Sequence, residues 1–190
     1  MKFTKLTTGI GIFLTLIGVA VITPAIYFNH RGSALPATPT TSAHKILKPQ
    51  TISGYPVELY IPSLNMKLKV VDGVYNPKDG SWTLSRDKVH FALPSAVPNN
   101  ELGNTLIYGH YRPEVFARLK NIKSGEKAIV KTDNGYSFTY RFQESEAVNP
   151  ADTSIFSYDG EPQLTLQTCS GAWLQNRQLY SFDFIKYEKI

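Results

Sequence analysis

Asp133-Asn134-Gly135, followed by Tyr136-Ser137-Phe138-Thr139-Tyr140-Arg141-Phe142, reads as a tight turn feeding a strand. Asp, Asn and Gly tolerate the positive φ that a hairpin turn demands. The aromatic residues after the turn recur at every second position, as a strand with one buried face requires. The same period returns upstream in Met66-Lys67-Leu68-Lys69-Val70, where apolar side chains alternate with lysines. Further strands are expected at 57–61, 104–109, 127–132, 164–168 and 178–187. Helical signals are few. Pro113–Leu119 has Pro at a plausible first position and apolar residues at helical spacing, and Arg86–Ala92 is long enough for another turn or two. Many short strands at regular spacing predict an all-β domain with short helices, closed into a small barrel.

Outside this domain the composition changes. The first 54 residues hold five Lys or Arg and no acid, whereas residues 55–190 hold 15 of each sign and are neutral. A neutral domain lacks the basic face that nucleic-acid binding needs, so no nucleic-acid partner is expected. Residues 6–29 carry no charge and are mostly apolar, long enough at 1.5 Å per residue to cross a bilayer core of about 30 Å as a helix. A cleaved signal peptide is the alternative, but its apolar core spans only about 7–15 residues. The reading is therefore a cytoplasmic tip and single transmembrane anchor over 1–31, with Lys2 and Lys5 favouring a cytoplasmic N-terminus. Residues 32–54 are rich in Pro, Thr, Ser and Ala and read as a linker. Residues 55–190 then form one folded domain, placed outside the cell at the membrane surface.

Cys169 is the single cysteine, so no internal disulfide can form; with only four histidines, a Cys–His zinc site is not expected either. Cys169 ends the alternating run Leu164–Thr168 and precedes the turn-like Ser170-Gly171-Ala172-Trp173. Strand ends are where loops meet and reactive groups collect, though a lone Cys also serves as a small buried hydrophobe. His110 closes another strand, after Gly109, while His90 falls within the short helix candidate. Arg177 opens the last strand, eight residues after Cys169, so a tight loop would bring the two together. The three side chains suffice for acyl transfer. A thiol with a free pKa of about 8.5 needs a base or cation to attack a carbonyl, a histidine can supply that and protonate a leaving amine, and a guanidinium can stabilise an oxyanion.

These residues resemble the sortase family of membrane-anchored cysteine transpeptidases from bacterial surfaces. Thr165-Leu166-Gln167-Thr168-Cys169 is similar to the family's TLxTC, and Asn104–His110 to its Gly-His strand end. Phe116–Leu119 fits the FxxL after that histidine, Arg177 falls where the family's arginine opens the final strand, and Ile61-Pro62 fits the IP that ends a first strand. The likeness covers about residues 55–187. It implies an eight-stranded closed barrel with no cofactor, although some members bind calcium. It implies that Cys169 forms a thioester at the Thr of a Leu-Pro-x-Thr-Gly-like sorting signal, with His110 as acid and base, Arg177 on the oxyanion and Thr168 as a substrate contact. The partners implied are surface proteins bearing such a signal and an amine acceptor such as a peptidoglycan precursor. No long insert precedes the Cys strand, and no Asp-Pro-aromatic motif occurs in the linker, which points to a housekeeping-like or class D/E-like branch. Leu35-Pro36-Ala37-Thr38-Pro39 nearly spells a sorting signal, but Pro replaces its Gly and no apolar tail follows, so it reads as linker. A membrane-tethered barrel that only binds peptides, with Cys169 as packing, is the alternative.

Overall fold

The computed structural model describes residues 50–76, 78, 81–170 and 175–190. The predicted membrane span and most of the linker lie outside these residues. In chain order the strands are β1 (Pro56–Ile61), β2 (Met66–Gly73), β3 (Tyr75–Asn76), β4 (Ser81–Trp82), β5 (Val89–Ala92), β6 (Asn104–Tyr108), β7 (Lys127–Thr132), β8 (Tyr136–Val148), β9 (Gln163–Ser170) and β10 (Asn176–Lys189). Eight of them close into a barrel in the order β1-β2-β5-β6-β9-β10-β8-β7, and β3 and β4 form a separate two-stranded ribbon. Most neighbours are antiparallel, but β2 runs parallel to β5 and β6 parallel to β9.

The expected turn is the β7–β8 hairpin. Gly135 sits at φ 80°, in the left-handed region open to glycine, and its N–H donates to the Thr132 carbonyl. From there Phe138, Tyr140 and Phe142 turn into a core shared with Leu59, Ile61, Val130, Leu166 and Phe182. In β2, Met66, Leu68 and Val70 are buried while Lys67 and Lys69 are exposed, so the alternation maps onto inside and outside.

Two expectations need correction. Arg86–Ala92 is not helical: Val89–Ala92 form β5, pairing Val70 with Val89 and Gly73 with Ala92. Every residue of β5 and β6 is buried, because a second apolar cluster covers their outer face: Ala92, Leu106 and Tyr108 pack beneath Trp82, Ile155 and Phe156. A strand covered on both faces loses its period, so its pattern cannot be told from that of a short helix. Pro113–Leu119 is likewise no α-helix. It forms turns running into a 3-10 helix at Ala117–Asn121. Val115, Phe116 and Leu119 are all fully buried, and this plug pins the segment that follows β6.

The folded part also begins earlier than the composition suggested. Ile52 is in the core and its N–H donates to Asn100 Oδ1 at 2.7 Å, while Gly54 N–H donates to the Pro98 carbonyl at 3.2 Å. Pro, Ser and Thr content reports solubility; it does not report these backbone bonds to a distant loop.

Candidate active site

Cys169 and Arg177 are brought together by the β9–β10 pairing. Their Cα atoms are direct partners in the antiparallel register. Side chains directly opposite in such a pair point to the same face, and Arg177 Nη1 lies 3.8 Å from Cys169 Sγ, positioned to donate. Cys169 is a free cysteine, and the residue is half-buried.

His110 arrives from β6, which runs parallel to β9 with Tyr108 opposite Gln167. Beyond that pair the two chains stay tied. Gly109 N–H donates to the Gln167 carbonyl at 3.0 Å, and Thr168 Oγ1 donates to the Gly109 carbonyl at 2.9 Å. The next residues on the two chains are His110 and Cys169. Gly109 is required by space: a Cβ there would come within 2.8 Å of Val115 and 3.1 Å of Val89. After His110 the chain turns back, its carbonyl accepting from the N–H groups of Arg112 and Phe116. Burial of Phe116 and Leu119 then anchors that turn, which explains the Phe-x-x-Leu spacing. Burial, followed by the nearby Arg112 and His90, holds His110 below the ordinary imidazole range.

Thr168 is buried. It is 2% exposed and its hydroxyl hydrogen is committed to Gly109, so its place is that of a tie between two strand ends. His90 is a satisfied core histidine. Nδ1 donates to the Asp72 carbonyl and Nε2 meets Ser85 Oγ, both at 3.0 Å, and the ring stacks on Tyr108.

Beside Arg177 lies a groove of about 830 Å³, and its lining includes Trp82, Glu146, Asp152, Phe156, Gln167 and Leu179. The sequence reading missed this groove, because its walls come from the ribbon and from the loop between β8 and β9. One signal was available: from 142 to 176 the chain has five acids and no Lys, Arg or His.

A closed barrel with a thiol and a guanidinium at paired strand ends is the class of fold that cysteine transpeptidases use. A family model described as a sortase domain matches residues 59–180, and the chain belongs to the sortase family. Among solved structures, sortase E1 from Streptomyces coelicolor, crystallised with a tripeptide in its active site, has TM-score 0.57 at 21% identity, over 72% of this chain and 91% of that one. Sortase C from Streptococcus pneumoniae has TM-score 0.59 at 19% identity, over 73% of each chain. Sortase A from Corynebacterium diphtheriae has 0.57 at 20%, over 71% and 62%. Similar scores across types A, C and E show the family fold and leave the branch open. A search of curated proteins gives no match.

Proposed function

We propose that this protein is a membrane-anchored sortase that cleaves a Leu-Pro-x-Thr-Gly-like signal between Thr and Gly and transfers the protein to an amine. The observation that carries the reading is the 3.8 Å contact of Arg177 Nη1 with Cys169 Sγ, one strand from His110. His110, uncharged at neutral pH because its pKa is depressed, accepts the thiol proton. The thiolate adds to the Thr carbonyl carbon, and Arg177 donates to the oxygen that becomes negative. The C–N bond breaks, the nitrogen takes the proton from His110, and glycine leaves as a neutral amine. A second amine then adds to the thioester carbonyl, His110 removes its proton, and the thiolate departs. Thr168 holds the two strand ends in register throughout. Residues 6–29 would tether the enzyme, with the barrel on the outer side facing surface proteins and a peptidoglycan-type amine.

The test is intact-mass analysis of the full chain with Leu-Pro-x-Thr-Gly and Leu-Ala-x-Thr-Gly peptides, with and without an amine. A thioester adduct equal to the peptide through Thr, discharged by the amine and absent in Cys169→Ala, is the expected result. A chain that binds these peptides without any adduct is a peptide-binding barrel instead.

A further inference from the structure

We propose that the groove selects a sorting signal whose variable residue, the one just before the cleaved threonine, is lysine or arginine. This rests on the transpeptidase reading above. The groove floor is set by register. Val148, Arg177 and Cys169 form one row across β8, β10 and β9, and Glu146, Leu179 and Gln167 form the row below. With strands about 4.8 Å apart and same-face residues about 6.7 Å apart along a strand, Glu146 lies about 12 Å from Cys169. For a peptide extended along β9, a lysine one residue before the thioester carbon lies about 3.3 Å down, and its four-carbon stem, turned across toward β8, spans about 6 Å more; in that pose its ammonium comes within reach of the Glu146 carboxylate.

The wall adds a second carboxylate. Asp152 lines the same groove and is fixed there, one of its oxygens accepting from Ser154 N–H at 2.9 Å. Neither Glu146 nor Asp152 has an ion-pair partner among the described residues. Arg177 opposes a cation, but its guanidinium is turned to the Cys169 sulfur, so among the described residues two carboxylate residues without an ion-pair partner line the groove against one cation held at its head. Trp82 and Phe156, stacked at 6.0 Å and 11°, give an apolar side along which a lysine or arginine stem can lie. A glutamate in the same place would face like charge on two sides.

The experiment compares kcat/KM of the full chain for Leu-Pro-Lys-Thr-Gly, Leu-Pro-Gln-Thr-Gly and Leu-Pro-Glu-Thr-Gly, with the matching Leu-Ala series. The expected order is Lys, then Gln, then Glu, with about tenfold or more between the ends, narrowing as salt shortens the Debye length from about 10 Å toward 3 Å. In the double variant Glu146→Gln, Asp152→Asn, which retains the oxygen that accepts from Ser154, the spread should fall to about twofold. Equal rates for the three peptides overturn this inference and leave the transpeptidase standing. A lysine preference that survives unchanged in the double variant also overturns it. No cleavage of any peptide overturns both readings.

Discussion

The two sides of the barrel are built by different rules. On the side made by β7, β1 and β2, strands pair antiparallel and alternate cleanly, with apolar residues inside and Lys67, Lys69, Lys127 and Lys131 among the outward positions. Glu58 holds Lys67 at 3.3 Å and Lys131 at 3.0 Å across that face. On the side made by β5, β6 and β9, β5 runs parallel to β2 and β6 to β9, the outer face of β5 and β6 lies under the ribbon and the β8–β9 loop, and in those two strands the alternation disappears. The chemistry proposed above sits on the second side. Strands whose outer face meets only water have one job, and their pattern reports it; strands that also carry a groove must satisfy neighbours on both faces.

The largest effect expected separates core from rim. Phe138→Ala empties a fully buried site beside Phe184 and Tyr187 and should cost about 3–5 kcal/mol in denaturant unfolding. The folded fraction should still form the thioester, because the ring lies away from Cys169 in the register. Arg177→Ala should reverse the pattern, lowering kcat/KM by about 10²–10³-fold with little change in the unfolding midpoint. A loss of stability as large as that of Phe138→Ala would mean that the rim guanidinium is structural.

Much of this was legible in advance, and the limits were physical. The β8 alternation and the Asp-Asn-Gly turn gave the barrel. The Thr-Leu-x-Thr-Cys and Gly-His strand ends gave the catalytic candidates, because those residues lie on strands whose direction the pattern fixes. Val89–Ala92 misled because a doubly covered strand has no period. The groove was invisible because Trp82, Phe156 and Glu146 come from three segments that only tertiary contact unites. Thr168, read in the sequence as a substrate contact, donates its hydroxyl hydrogen to the Gly109 carbonyl, a bond that no sequence pattern announces.

Smaller effects sharpen the contrast. Burial alone would raise the Glu58 pKa, but Lys131 and Lys67 outweigh it and hold the carboxyl below its ordinary value. That stability is present above the unfolded carboxyl pKa of about 4.3 and is lost as pH falls through the folded value. Since the pair is partly exposed, Glu58→Gln should cost under about 1 kcal/mol at pH 7, and the difference from wild type should vanish in acid. At the rim, His110 should titrate by NMR below the free imidazole value, so its share of stability is present above about pH 6.5 and lost as pH falls through the folded pKa. Arg112→Ala should move that titration part of the way up. It should remain below the free value, because burial is the larger cause.

The bond from Thr168 to the Gly109 carbonyl joins positions 59 apart in sequence. Contacts of such separation form late, after the intervening loop has been closed at an entropic cost. Until β10 docks against β9, Cys169 lacks the Arg177 guanidinium, and until β9 docks beside β6 it is not next to the strand that leads into His110. For the chemistry proposed above, the order of folding acts as a safety catch: a chain caught partway, with its apolar strands open to bystander proteins, does not yet hold its thiol beside the groups that would let it attack them.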